Sequence, residues 1–160
     1  MDFEIIKTIL ADEAKALGIT EYEVYAVSSS ERSVETLNKE ISSFSSSAAG
    51  GICFRALVDS RMGYAATELY EENEIRALVG RALENAKITE KLDTVGIYAG
   101  SESYAELEKA ERKTLGAADM KKVALELSTA LFASSEAVRA GTLSAMTDYT
   151  VKKRLINSLL

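Results

Sequence analysis

Apolar residues recur at helical spacing at the beginning of the chain, from Phe3 to Leu17. Such a period predicts an amphipathic helix with one apolar side. Asp2 is suited to cap the first turn of this helix, and Gly18 is suited to end it in a left-handed conformation. The chain therefore opens with a helix that needs a partner for its apolar side.

From Tyr22 to Thr67 the pattern changes to the alternation that is typical of strands. Turn-forming pairs interrupt it at Asn38-Lys39, Gly50-Gly51 and Ser60-Arg61. Turns of only two residues connect neighbouring strands that run antiparallel. We therefore predict an antiparallel β-meander of about five strands, at Tyr22–Ser29, Ser33–Leu37, Ile41–Ala48, Ile52–Asp59 and Met62–Thr67.

Helical spacing returns from Glu72 to Ile88 and again from Asp119 to Ala133. The first of these helices is expected to pack across the sheet. Between them, residues 89–117 contain few large apolar groups and an acidic run, which predicts a long and partly ordered excursion. Two β-rich pieces follow the last helix, Ala137–Asp148 and Thr150–Asn157, and predict a hairpin. The fold class is therefore α+β.

This order of elements predicts three regions. Residues 1–88 form an N-terminal α+β domain, residues 89–117 the acidic excursion, and residues 118–160 the helix and hairpin that begin a following region. The last β segment stops without a terminating signal, so we expect a longer parent protein.

The absence of histidine narrows the possible chemistry. The 160 residues contain no histidine and a single cysteine, Cys53, which lies in an apolar run. Zinc fingers, zincin helices and Ser-His-Asp triads need histidine or several cysteines. We therefore assign no catalytic, cofactor-binding or metal-ligating residue in this sequence, and we interpret Cys53 as a small core residue.

Charge and composition disfavour nucleic acids and membranes as binding partners. Nineteen basic and 25 acidic side chains give a net charge of −6, and 47% of the residues are apolar. Direct nucleic-acid binding is disfavoured because it needs clustered cations. No apolar segment approaches the roughly 20 residues that span a bilayer. We expect a folded cytoplasmic protein without membrane contact.

Four residues are candidates for contact with a peptide or a partner chain. Arg55 lies on an apolar strand, so its charge must reach a carboxylate, carbonyl groups or the sheet margin. It is interpreted either as a structural ion pair or as a contact to peptide carbonyls or a partner subunit. Ser43, Ser45 and Ser47 would line a strand that accepts an extended peptide by β-addition, or would simply form a polar sheet face.

The block from Gly50 to Thr67 resembles the N-terminal domain of the TldD/PmbA family. Glu23–Tyr25 and Val34–Ile41 are similar to the strand pair that precedes this block in the family. The helix over Ile75–Ala86 falls where the family places one, and Ile156–Ser158 resembles the strand end before the family's middle region. The resemblance thus extends over essentially the whole chain.

The resemblance implies a role in peptide processing. In this family two related subunits, TldD and TldE (also called PmbA), associate, and TldD carries a downstream HExxxH zinc motif. This sequence lacks that motif. Residues 62–67 of this sequence resemble PmbA more than they resemble TldD. The family is also associated with modulation of DNA gyrase.

By this resemblance we expect a non-catalytic N-terminal domain that contributes to subunit association and substrate enclosure in a metalloprotease assembly. The implied partners are a related subunit, in a homo- or hetero-oligomer, and a peptide substrate. Zinc would be held by downstream residues or by the partner subunit. Two alternatives stay open: a binding or scaffold module that uses its sheet edge, and an enzyme that relies on carboxylates alone.

Overall fold

A computed structural model describes residues 2–91, 96–108, 114–138 and 141–159. Within them lie three helices and a four-stranded sheet with strand order β3-β2-β1-β4. The fold is α+β, as predicted. In chain order the elements are α1 Phe3–Ala16, β1 Glu21–Leu37, β2 Glu40–Val58, β3 Arg61–Thr67, α2 Glu72–Ile88, α3 Ala117–Ser134 and β4 Leu143–Asn157.

The three predicted helices are confirmed. Asp2 caps α1, because its carboxylate accepts a hydrogen bond from the backbone N–H of Glu4 at 3.2 Å. Gly18 follows the helix with a positive φ of 72°, which glycine adopts without the steric cost of a Cβ. Helix α2 has the predicted bounds, and α3 is slightly longer than predicted at both ends.

The prediction of a turn at Gly50-Gly51 is wrong, because β2 runs through both glycines. Neither adopts a left-handed conformation. An added Cβ at Gly50 would lie 2.8 Å from the Tyr70 hydroxyl oxygen and 2.9 Å from the Val27 carbonyl oxygen. The glycine therefore permits close packing of neighbours instead of a change of direction.

Because β2 continues through both glycines, the sheet has fewer and longer strands than predicted. The strands predicted at Tyr22–Ser29 and Ser33–Leu37 form the single strand β1. Those predicted at Ile41–Ala48 and Ile52–Asp59 form β2, which ends at Val58. The sheet therefore has four strands, not a meander of about five with an added hairpin. Asn38 and Lys39 form the predicted turn, with φ of 53° and 69°. The next turn lies at Asp59 and Ser60, one residue earlier than predicted.

The predicted C-terminal hairpin is also wrong, because β4 is one continuous strand. It runs antiparallel to β1: the Thr36 and Ser144 hydroxyls are 2.5 Å apart, whereas the Tyr22 N–H donates to the Ser158 hydroxyl at 2.8 Å. Strand β4 thus takes an outer position in the sheet, beside β1.

The chain forms two compact units, and β1, β2 and β4 contribute to both. The first unit comprises Met1–Ser28, Gly50–Ala105 and Lys152–Leu160, and the second comprises Ser29–Ala49 and Glu106–Val151. The predicted division at residues 88 and 117 stays a prediction. Of the predicted excursion, residues 92–95 and 109–113 lie outside the described residues, and residues 96–108 contain neither helix nor strand.

In the first unit, α1 and α2 cover one face of the sheet. Alternate strand residues point into this core, among them Val24 of β1 and Phe54 of β2, which are completely buried. The Phe54 ring stacks on Tyr22 with ring centroids 5.1 Å apart. Helix α2 packs closely on β3 at Gly63, where an added Cβ would lie 2.7 Å from the Ala86 Cβ.

A smaller core lies in the second unit, where Val34 of β1 packs with Met120 and Ala124 of α3. Thr36 is also completely buried, and its hydroxyl bonds to that of Ser144. A buried hydroxyl needs such a partner to offset the loss of water. The second unit therefore has a core of its own.

Candidate functional site

The face of the first unit's sheet opposite α1 and α2 is called here the open face. It contains residues that alternate with the buried ones on the same strands. The β2–β3 register places Arg55 opposite Tyr64 and Cys53 opposite Ala66. The exposed fractions of Tyr25 and Tyr64 are 41% and 65%. We define the open face by Glu23, Tyr25, Cys53, Arg55, Tyr64 and Ala66.

Arg55 forms an ion pair on the open face. Its Nη2 donates to Glu23 Oε1 at 3.0 Å, and the two side chains are 42% and 18% exposed. A pair of this exposure contributes about 0.2–1 kcal/mol. The Arg55 Nε is buried and has no hydrogen-bond partner among the described residues. The structural ion pair is therefore present, whereas contact with a peptide or a partner subunit stays a prediction.

A depression of about 430 Å³ lies beside this ion pair. Residues with small side chains or none contribute to it, namely Gly51, Cys53 and Ala66. An ideal Cβ at Gly51 would lie 3.7 Å from the Glu68 Cγ, so the missing side chain leaves space beside that carboxylate. The lining consists of Tyr25, Val27, Gly51, Ile52, Cys53, Ala66, Thr67 and Glu68.

Burial raises the pKa of the Cys53 thiol. The positive charge of Arg55 lowers this pKa and the negative charge of Glu23 raises it, each by less than burial does. Because the thiolate is the nucleophilic form, a raised pKa makes the thiol weakly reactive near neutral pH. The half-buried Cys53 therefore has the environment of an unreactive thiol.

The three candidate serines lie in the second unit and do not join the open face. Ser43, Ser45 and Ser47 are all exposed on β2. Their neighbour Phe44 has its ring 4.8 Å from the Lys121 ammonium of α3. Alternation places the serines on the opposite side of the strand from Phe44. Their contact with a peptide or partner stays a prediction.

The open face and the depression contain residues that the sequence analysis missed. Tyr25, Tyr64 and Glu68 were not singled out, although Tyr25 alternates with the apolar residues Val24 and Ala26. That alternation was a usable signal for Tyr25. Tyr64 required the β2–β3 register, which places it opposite Arg55. Glu68 follows the end of β3 and required the lining of the depression.

The described residues do not fit a zinc site. Within residues 2–91, 96–108, 114–138 and 141–159, no group of three or more cysteine, aspartate and glutamate residues could hold a metal ion. In the same part of the chain, no helix has the length and apolar character needed to cross a membrane.

The fold is α+β, and in the first unit α1 and α2 cover one face of the sheet. Residues 22–86 match the model of a protein family, PmbA/TldA metallopeptidase domain 1. This match covers 65 of the 160 residues and agrees with the resemblance of the chain to the TldD/PmbA family. No curated protein sequence matches it.

Three solved structures share the fold. A Thermotoga maritima protein described as a modulator of a DNA gyrase is 20% identical, with a TM-score of 0.77 over 99% of this chain and 36% of that chain. A Bacteroides thetaiotaomicron protein with a similar description is 18% identical, with a TM-score of 0.70 over 97% of this chain and 36% of that chain. TldE from Thermococcus kodakarensis is 18% identical, with a TM-score of 0.60 over 96% of this chain and 35% of that chain. This chain thus spans about a third of their length.

Proposed function

We propose that this chain is a non-catalytic N-terminal domain of a TldD/PmbA-type peptide-processing assembly, where it contributes to subunit association and substrate enclosure. The observation that carries the proposal is the open face. The opposite face of the same sheet is packed against α1 and α2, whereas Tyr25 and Tyr64 on the open face are substantially exposed. The partners would be a related subunit, in a homo- or hetero-oligomer, and a peptide.

The chemistry of the open face supports contact with another chain. Tyrosine and arginine are enriched at protein interfaces, because they combine a large apolar surface with polar groups. Arg55 is held by Glu23 at 3.0 Å, which restricts its side chain. The Arg55 side chain is 42% exposed, so guanidinium N–H groups that do not bond to Glu23 could donate to a carbonyl oxygen of an approaching chain.

Within this proposal, zinc and the groups that hydrolyse the peptide bond belong to other parts of the assembly. The described residues contain no set of donors that suits zinc. The role of this chain is to hold and surround the substrate, and no step of peptide-bond cleavage is assigned to its residues.

A second candidate function is a scaffold module without a proteolytic partner. Strands β3 and β4 are the outer strands of the sheet, and an outer strand can pair with an extended segment of another protein. Copurification separates the two functions. A scaffold would capture chains that lack peptidase activity, whereas the proposed domain would copurify with a related, metal-dependent peptidase subunit.

The test uses the full-length parent protein with Arg55→Ala and a matched control, Arg81→Ala. Arg81 forms a comparably exposed ion pair with Glu74 on α2, at 3.4 Å. We expect Arg55→Ala to weaken subunit association or peptide capture with little change in thermal stability, since such a pair contributes about 1 kcal/mol or less. Arg81→Ala should change neither association nor capture.

Two results would overturn the proposal. The first is Arg55→Ala protein that assembles and captures peptides normally, with or without a loss of stability; a loss of stability alone assigns the residue to a structural ion pair. The second is a full-length protein that stays monomeric at micromolar concentration and cleaves peptides without a related subunit.

A further inference from the structure

We infer that the depression beside Cys53 is a subsite for a basic side chain, lysine or arginine, of an extended peptide on the open face. This inference rests on the proposed function and adds the class of peptide residue that the face would select. It is carried by Glu68, a charged residue in the lining of the depression.

The Glu68 carboxylate lines the depression and is exposed. No hydrogen bond or ion pair engages it within the part of the chain that the structure describes. This distinguishes it from Glu23, whose charge is offset by Arg55 at 3.0 Å. Among the described residues that line the depression, Glu68 is the charged one, and its carboxylate favours a cationic group over a neutral or acidic one.

The remaining lining suits the stem of a long basic side chain. Lysine and arginine bury an aliphatic stem while keeping the charged end at a polar group. Gly51, Cys53 and Ala66 offer apolar or backbone surface without bulk, and the Tyr25 ring lies in the same lining. A cation near a tyrosine ring gains a further attraction. The volume of about 430 Å³ is at the lower end of the range for ligand pockets, roughly 300–1,000 Å³.

Other occupants fit less well. An acidic side chain would be repelled by Glu68. A purely apolar side chain would take water from the Glu68 carboxylate without giving it a partner, which costs free energy. The charge of the whole chain, −6, acts in the same direction, because an acidic protein attracts basic peptides at long range.

The experiment uses three end-blocked fluorescent pentapeptides that differ only at the central residue, which is lysine, norleucine or glutamate. Affinity for the 160-residue chain is measured by fluorescence anisotropy. We expect the lysine peptide to bind about threefold tighter than the norleucine peptide, as is typical of a partly exposed ion pair. The glutamate peptide should bind most weakly. High salt should reduce the preference for lysine.

Three variants test whether the preference for lysine arises at the depression. Glu68→Gln should abolish the preference for lysine over norleucine, because it weakens binding of the lysine peptide and removes the cost of desolvating a carboxylate from the norleucine peptide. The matched control is Glu90→Gln, which changes another exposed glutamate of the same unit and should keep the preference. Ala66→Leu, at an exposed position of the depression, should weaken binding of both peptides by occupying the space. Circular dichroism verifies that each variant is folded.

The outcomes separate this inference from the proposed function. Equal binding of the lysine and norleucine peptides, or a lysine preference that survives Glu68→Gln, would overturn the basic subsite and leave peptide capture intact. If none of the three peptides binds at millimolar concentration, peptide capture by the open face fails as well.

Discussion

Replacing Gly63 with alanine should destabilise the first unit, because α2 packs against β3 at this residue. The new methyl carbon would lie 2.7 Å from the Ala86 Cβ and closer still to backbone atoms of Ala82 and Ala86. Carbon atoms in contact normally lie about 3.5–4.0 Å apart. Backbone atoms within a helix cannot rotate away, so α2 would have to move from the sheet.

The expected cost follows from this geometry. Overpacking by an added methylene group typically costs about 1–3 kcal/mol, and we expect the upper end, about 3 kcal/mol, because backbone blocks the site. For a chain of this size, 1 kcal/mol shifts Tm by about 2–4 °C. Gly63→Ala should therefore lower Tm by roughly 6–12 °C.

Thermal melting followed by circular dichroism, together with urea unfolding, measures this loss. Gly80→Ala is the matched control, because it changes a glycine of α2 whose added Cβ would have no heavy atom within 4 Å. Alanine stabilises a helix interior relative to glycine by about 0.5–1 kcal/mol, so Gly80→Ala should raise Tm by about 1–4 °C. A Gly63→Ala protein that melts at or above the wild-type temperature would refute the close packing of α2 on β3.

Two further predictions concern the thiol of the open face and the chain between α2 and α3. The pH midpoint of Cys53 alkylation should lie above that of free cysteine, because burial raises the pKa of Cys53; Arg55→Ala should raise this midpoint further by removing a cation, whereas Glu23→Gln should lower it. Equal midpoints in the three proteins would contradict the assigned charges. Glutamyl endopeptidase should cut first within residues 96–108, for example after the exposed Glu102, because this segment contains neither helix nor strand; a first cut inside α2 would contradict that expectation.

The candidate site was only partly visible in the sequence. Arg55 could be singled out, because a charge on an apolar strand must find a partner, and the structure supplies Glu23. The depression could not be found in this way, since it depends on the pairing of Cys53 with Ala66 across two strands. A register shift of one residue would turn these side chains to the other face.

The sequence by itself determined the helices, the turn at Asn38-Lys39 and the resemblance to the TldD/PmbA family. Helical period, caps and turn residues act over a few positions, so their signals are complete in a short stretch of sequence. Only the tertiary structure decided where strands continue, because Gly50 could stand in a turn or in a strand until Tyr70 and Val27 were placed against it. The residues that form the open face were also determined only by the tertiary structure, since long-range strand pairing sets which side of each strand the helices cover.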